Sequence, residues 1–488
     1  MTSETFASLH PATGEQIGQF PITTAEQVEQ IVREATLAAS WWQSLDAKER
    51  ERRLLAWNSI LVKRVSEAAL LISNETGKPV SDAKLEITMA ISHLSWAAKH
   101  AEKILKPVAR PPGLLMANMA ARVERVPFGV IGVIGPWNYP IYTPMGSISY
   151  ALAAGNAVVF KPSEYTPAVG AFLAATLREV VPEVPLLQVV TGFAATGEAL
   201  CRSKVDKIAF TGSTATAKKV AAVCADSLKP MIAECGGKDA VIVAGDADLS
   251  SAAEYTLWAA MSNAGQTCIA AERVYVERPV AEQFKTLISQ MATELKPGSD
   301  SNSSYGAATM AKQIDVIESH IKDALKRGGK ALVGGAESVR PPYVHPVVIA
   351  DVPEDSISMT DETFGPTIII NTVDSVEEAI RLANDSRYGL GASVWSKNRG
   401  DEIASKLHCG MVSVNSIIAF AGVAAIPFGG VGDSGYGRIH GHEGLLEFTF
   451  ARSIVSTRFK IPLAFTTFKR TTMTDSIIGR LVRILHGR

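Results

Sequence analysis

Val130-Ile131-Gly132-Val133-Ile134, closed by Gly135-Pro136-Trp137-Asn138-Tyr139-Pro140, and Ala157-Val158-Val159-Phe160, closed by Lys161-Pro162-Ser163-Glu164, decide the fold class. Both runs are apolar throughout. A strand with one wet face alternates apolar and polar residues; a strand covered on both faces does not. The theme recurs in Leu186 to Val190, in Lys207 to Phe210 before Thr211-Gly212-Ser213, and in Met231-Ile232-Ala233 before Glu234. Helical periods lie between, at Thr166 to Val181 and Ala215 to Leu228. This alternation predicts an α/β fold with a parallel sheet clothed by helices. Ligands of such sheets bind beyond the carboxyl ends of the strands. The chemically distinctive residues stand there: Asn138, Lys161, Glu164, Ser213 and Glu234.

A second α/β series follows from Ala240. Its strand candidates are Val241 to Val243, Arg273 to Val276, Thr367 to Ile370 and Met411 to Val414, with helices at Val280 to Leu295 and Val316 to Arg327. Upstream, residues 24 to 105 read as helices: Thr24 to Ser40 behind a Thr cap with Glu26, Glu49 to Glu75, and Ser81 to Ile104. Lys106 to Arg125, with Pro107, Pro111, Pro112 and Gly113, suits an extended arm or hairpin. The tail places Ile477, Ile478, Leu481, Val482, Ile484 and Leu485 near one helical stripe, and its last twenty residues carry a net charge of +4. Such a helix either packs on protein or lies on an anionic membrane.

The chain has 488 residues, 47% of them hydrophobic, and a net charge of -1. That length suits two or three domains, and the balanced charge gives no reason to expect a nucleic-acid partner. The five cysteines form no CxxC pair, which suggests reduced thiols. Met1-Thr2-Ser3-Glu4-Thr5 lacks the basic and apolar regions of a secretory signal, and a cytoplasmic location is expected.

Chemistry concentrates in Asn263-Ala264-Gly265-Gln266-Thr267-Cys268 and Glu234-Cys235-Gly236-Gly237-Lys238. A thiol nucleophile with a separate carboxylate base is what covalent catalysis at a carbonyl needs. Gly236, Gly237 and Gly265 are expected to let backbone approach a ligand. The other cysteines, Cys201, Cys224, Cys235 and Cys409, read as packing residues. No GxGxxG occurs. Gly212-Ser213 still ends a strand and opens a helix, where a phosphate or an ordinary cap are both accommodated. Lys161 and Glu164 suit ribose hydroxyls or a surface ion pair. In the first case the carboxylate favours NAD over NADP.

These pieces, in order over residues 5 to 460, resemble the aldehyde dehydrogenase superfamily. The resemblance rests on Pro136-Trp137-Asn138-Tyr139-Pro140, Gly155 to Glu164, Phe210-Thr211-Gly212-Ser213, Glu234-Cys235-Gly236-Gly237-Lys238, Gly265-Gln266-Thr267-Cys268, Glu362-Thr363-Phe364-Gly365-Pro366, Asn384 to Leu390 and Pro427-Phe428-Gly429-Gly430. It implies a Rossmann-like NAD-binding domain (residues 1–105 and 128–236) and a catalytic domain (237–435). It also implies an oligomerisation arm (106–127 and 448–460), with the basic amphipathic tail at 461–488. Cys268 would be the nucleophile, Asn138 and the Cys268 N–H the oxyanion hole, and Glu234 the base that hydrolyses a thioester. Trp137, Lys161, Glu164, Gly212, Ser213, Glu362 and Phe364 would bind NAD, or NADP. A homodimer or homotetramer is implied, and no metal.

The substrate reading rests on the residues after Asn138. Succinate-semialdehyde members of the family typically place an arginine eight positions after this asparagine, where Gly146 stands here. With Ser147, Gly146 is expected to widen an entrance walled by Tyr139, Tyr142 and Ile269. The resemblance extends to the class 3 and fatty-aldehyde branch. A hydrophobic medium- or long-chain or aromatic aldehyde is therefore expected, with peripheral membrane contact through the tail. The alternatives are a semialdehyde enzyme using Arg125 or Arg273 and a non-catalytic scaffold.

Overall fold

The computed structural model describes residues 4–300, 302–460 and 467–487. The chain divides into two compact units, one holding residues up to Ile104 with Pro127–Thr449, the other Leu105–Val126 with the residues from Phe450 onward.

The first unit contains two large sheets. One has six strands in the order Gly435–Tyr436, Met231–Glu234, Lys207–Thr211, Val130–Ile134, Ala157–Lys161, Leu187–Val189. The five long members are mutually parallel. Successive strands run outward from Val130–Ile134 on one side, then return to its other side. The strand order thus reverses at Val130–Ile134, the position at which a crevice opens in sheets of this kind. The second sheet has seven strands in the order Lys330–Val333, Val347–Ala350, Thr367–Val373, Arg273–Glu277, Ala240–Val243, Gly391–Trp395, Met411–Val414. Neither sheet is wholly parallel. Gly435–Tyr436 and Lys330–Val333 join their edges antiparallel, as is common where a returning chain closes an edge.

The N-terminal helices pack on the first sheet and its helices. Trp42 and Trp57 are fully buried, and their indole N–H groups donate to Leu152 O (2.8 Å) and Thr176 Oγ1 (3.0 Å). Burying each such side chain contributes roughly 2–3 kcal/mol. Helix Ala25–Ser44 starts at Thr24 as expected, but the reciprocal capping partner is Gln27 rather than Glu26. The expected helix Glu49 to Glu75 is two, Ala47–Lys63 and Val65–Thr76, split at Arg64, whose N–H bonds both Ile60 O and Leu61 O. A hairpin, Thr5–Leu9 with Gln16–Pro21, precedes them.

In the second unit, Val108–Arg110 pairs antiparallel with Met119–Pro127, and Thr449–Thr457 completes a three-stranded sheet. The tail forms a helix, Thr472–His486, that starts five residues before Ile477, the first residue of the apolar stripe, because Thr471 and Thr474 make a capping box. Residues 461–466 and 488 of the tail lie outside the described residues. No helix among the described residues is long and apolar enough to cross a membrane.

Candidate functional site

The carboxyl ends of the first sheet face loops that enter the second. Asn138 follows Val130–Ile134, Lys161 ends its strand, Ser213 caps the helix after Lys207–Thr211, and Glu234 ends Met231–Glu234. Cys268 precedes Arg273–Glu277, and Glu362 and Phe364 precede Thr367–Val373. The structure brings all of these, with Trp137, Glu164 and Gly212, onto the wall of one cavity of about 680 Å³. A narrower tunnel of about 90 Å³ reaches the same point from another side. Tyr139, Tyr142 and Ile269 line it, and it shares Cys268, Glu234 and Thr143 with the larger cavity.

The thiol loop begins in strained backbone. Asn263 (φ 53°) and Ala264 (φ 56°) are left-handed, and Gly265 follows at φ 69°. Non-glycine residues hold such angles only where their surroundings over-determine them, and such strain clusters at functional sites. Gln266 provides the surroundings: its amide donates to Asn263 O (2.9 Å) and accepts from Thr309 N (2.9 Å). A Cβ at Gly265 would run into the carbonyl of Gly365, one at Gly236 into Glu362, and one at Gly237 would stand 2.7 Å from Cys268 O. Gly265 and Gly237 bring motif against motif, while Gly236 also lines the large cavity.

Asn138 is fixed at both ends. Its Nδ2 donates to Gln266 O (2.9 Å), while its carbonyl accepts from Lys78 Nζ (2.6 Å) and Asn263 Nδ2 (3.1 Å). Lys78 and Glu86 form a fully buried ion pair at 2.7 Å, and Glu86 accepts from Ile141 N and Tyr142 N. A second buried pair, Lys238 with Glu272, holds the opposite wall. Glu272 accepts from Thr363 N (2.8 Å) and Phe364 N (3.0 Å). None of these four charged residues was assigned a role from the sequence.

Burial dominates the electrostatics. Both carboxyl oxygens of Glu234 are buried without a hydrogen-bond partner, and desolvation pushes its pKa well above the usual carboxylate range. Burial, reinforced by Glu362, Asp239 and Glu234, likewise raises Cys268, so the thiol is held protonated. Burial lifts Glu362 to about 8. Lys161 is buried; its ammonium donates to Pro162 O (3.1 Å) and stands 3.9 Å from Glu164. Burial lowers its basicity. The Trp137 and Phe364 rings meet edge to face at 5.6 Å. Ser213 caps its helix, accepting from Thr216 N at 3.3 Å.

Gly146 corrects the substrate reading. It is buried in helix Tyr142–Ala153 and does not line the tunnel. A Cβ there would stand 2.6 Å from His440 Nε2 and 2.9 Å from Ile439 Cδ1. The small residue makes room for His440 instead of widening an entrance. Arg273 is also excluded as a substrate cation: it is buried and donates to Lys238 O, Leu382 O and Ala383 O. The cysteines Cys201, Cys224 and Cys235 are buried, and Cys409 is half-buried with its thiol on Met411 O.

Comparison with known proteins bears on this arrangement. Residues 1–454 match the model of the Aldehyde dehydrogenase family. The chain is 35% identical over 463 residues to a 4,4'-diapolycopene aldehyde oxidase of Methylomonas sp, covering 94% of this chain and 87% of that one. It is 36% identical over 487 residues to a protein of Mycolicibacterium smegmatis provisionally named as an NADP(+) succinate-semialdehyde dehydrogenase, covering 98% and 94%. Among solved structures, PnpE from Pseudomonas sp. WBC-3 superposes with a TM-score of 0.90 at 34% identity, over 96% of both chains. An indole-3-acetaldehyde dehydrogenase in complex with NAD+ superposes with a TM-score of 0.89 at 30% identity, over 93% of both.

Proposed function

The chain belongs to the aldehyde dehydrogenase family, NAD(P)-dependent oxidoreductases of aldehydes, and on that premise we propose that it oxidises a neutral, largely apolar aldehyde to its carboxylic acid. The observation that carries the substrate class is the charge of the tunnel. Among the described residues lining it, Lys78 is the one cation, against Asp82, Glu86 and Glu234. Lys78 is already engaged by Glu86 and Asn138 O. A carboxylate-bearing substrate needs an unengaged donor fork, and no wall residue offers one. Leu85, Met89, Tyr139, Tyr142, Trp258, Ile269, Phe428 and Ile439 give the wall a largely apolar surface, with the uncharged polar side chains of Thr143, Thr211, Ser262, Asn263 and Thr267 and the His440 ring among them. A surface depression of about 810 Å³, lined by Tyr255, Met261, Tyr305 and Ile417, shares Trp258 and Ser262 with the tunnel. A longer aldehyde therefore has a neighbouring depression of mixed character to extend towards, in which Glu254, Glu294, Ser304, Asn415 and Ser416 stand among the apolar residues.

Cys268 Sγ bonds the aldehyde carbon as its S–H bond breaks and the thiol proton passes to water. One Asn138 N–H is held by Gln266, and the amide's second N–H, with the Cys268 N–H, supports the developing oxyanion. Bound NAD(P)+ supplies the acceptor for the hydride pair. Oxidation leaves a thioester on Sγ. Glu234, unpartnered and with a raised proton affinity, takes the proton from the attacking water, and release of the acid restores the thiol. The large cavity fits the cofactor. Lys161 and Glu164 would present donors and an acceptor to ribose hydroxyls, and Glu362 would serve the second ribose. Trp137 and Phe364 would wall the nicotinamide, while Gly212 and Ser213, at a helix N-terminus, would take the pyrophosphate. Glu164 disfavours a 2′-phosphate and makes NAD the preferred form.

NADH absorbance with hexanal, dodecanal, benzaldehyde and succinate semialdehyde tests the reading. Several relatives carry succinate-semialdehyde names, and a clear kcat/KM preference for that substrate would overturn it. The exposed edge strand Thr449–Thr457 supports a homodimer or homotetramer, since an unpaired edge invites a partner strand. The tail helix, with Arg480 and Arg483 beside the exposed Met473, Val482 and Ile484, supports peripheral contact with an anionic membrane. Cosedimentation with phosphatidylserine vesicles at low and high salt checks this.

A further inference from the structure

His440 lines the tunnel at 1% exposure, and neither of its ring nitrogens has a hydrogen-bond partner. A neutral imidazole carries one N–H donor and one acceptor, and leaving both unmet away from water is unfavourable. Two further features place the ring there at a disadvantage to the fold. Its backbone sits at φ 62°, ψ 166°, a region almost reserved for glycine. The adjoining helix also lacks a side chain at Gly146, where a Cβ would meet His440 Nε2. Leucine or phenylalanine would fill this space without an unsatisfied polar atom.

Neighbouring groups make no hydrogen bond to the ring, and the adjacent His93 Nδ1 is itself buried without a partner. The His93 ring lies 3.9 Å from His440, centroid to centroid, and Phe428, Tyr150 and Tyr142 lie at 5.5, 5.6 and 5.8 Å. The Tyr142 hydroxyl and His93 Nε2 are both engaged by Ala421 O (2.6 and 3.1 Å). The Tyr150 hydroxyl donates to Ala424 O (3.1 Å).

We propose that His440 is the hydrogen-bonding contact for a second polar atom of the substrate, a neutral hydroxyl, ether or carbonyl oxygen carried on the apolar body of the aldehyde. This rests on the reading that the tunnel receives the aldehyde. Desolvation holds the imidazole uncharged, which suits a neutral oxygen and not a carboxylate.

The test compares aldehydes of equal length with and without a hydroxyl stepped along the chain, by kcat/KM. At one position of the hydroxyl the native enzyme should favour the hydroxylated member by about tenfold, the scale of one buried hydrogen bond. In His440→Phe that ratio should fall to about one. His440→Gly relieves the backbone strain, so it folds even if the phenylalanine variant does not, and it too should give about one. His440→Gln, with a donor and an acceptor of its own, should restore part of the preference. The proposal is overturned if no hydroxyl position is favoured, or if the preference survives in the phenylalanine and glycine variants. Failure to oxidise any of these aldehydes would instead overturn the assignment of the tunnel.

Discussion

Replacing Lys78 by methionine should damage both stability and turnover, for one structural reason. Lys78 and Glu86 are buried completely and lie 2.7 Å apart. The ammonium also reaches Asn138 O at 2.6 Å and stands 4.0 Å above the Tyr139 ring. Glu86 receives the N–H groups of Ile141 (2.8 Å) and Tyr142 (3.2 Å). The pair therefore ties down both ends of the turn from Asn138 to Tyr142. Methionine keeps most of the apolar stem but strands the Glu86 charge. Removing one partner of such a pair costs about 3–5 kcal/mol. Adding Glu86→Gln keeps an acceptor for the two backbone amides and removes the stranded charge, so the double variant should recover most of that loss. Turnover should fall roughly 10²-fold in Lys78→Met, because a misplacement of about 1 Å in a positioned group has that effect. Thermal melts of the native, single and double forms, with kcat on one aldehyde, measure both. A single variant melting with the native protein, or a double variant less stable than the single one, would refute the account of the pair.

Glu234→Gln should leave a burst of one NADH per site and slow later turnover by about 10²–10⁴. Since burial raises the Glu234 proton affinity, native turnover should fall as pH drops through that raised value, and the glutamine variant should lack this limb. Glu362 rises from its ordinary 4.5 to about 8 in the folded chain. The folded state therefore binds more protons in that window, and stability present below 4.5 is lost as pH climbs towards 8. Melts of Glu362→Gln against pH should show a shallower fall there, and an unchanged slope would contradict it. Gly265→Ala places a Cβ in left-handed backbone and against the Gly365 carbonyl. It should lose at least about 2 kcal/mol and most activity, and an unchanged melt would show that the loop yields.

How much was legible depended on what each residue faced. The strands Val130–Ile134 and Ala157–Lys161 read cleanly because both faces are buried and the apolar runs are unbroken. The hairpin Thr5–Leu9 with Gln16–Pro21 escaped notice because its residues are mostly exposed and mixed. Gly391–Trp395, Gly-Ala-Ser-Val-Trp, is buried throughout but begins with small residues that do not announce a strand. The break at Arg64 carries no glycine or proline. At Gly237, Gly265 and Gly146 protein rather than ligand makes the close approach, because sequence shows that something approaches closely without showing what. At Gly146 the occupant is His440, nearly three hundred residues away in the chain.

The charged and polar residues that no motif marks share a signature that periodicity does contain. Helix Val80–Leu105 buries Ala83, Glu86, Ile87, Ala90, His93, Leu94 and Ala97. Glu86 and His93 thus lie in phase with the apolar stripe, three or four residues from its members. A charged face normally lies opposite the stripe, so a polar residue within it must find a partner inside the protein. Glu86 finds Lys78, which ties the turn after Asn138, and His93 packs beside His440. Glu234 and His440 are the converse case, buried residues whose side-chain polar atoms find no partner among the described residues. Where a satisfied polar residue in an apolar stripe marks a support, an unsatisfied one marks a place where something else completes the set. Among the described residues other buried polar atoms also lack a partner, Thr256 Oγ1 and Trp395 Nε1 among them, but only Glu234 and His440 have two each, and both line the tunnel that reaches Cys268.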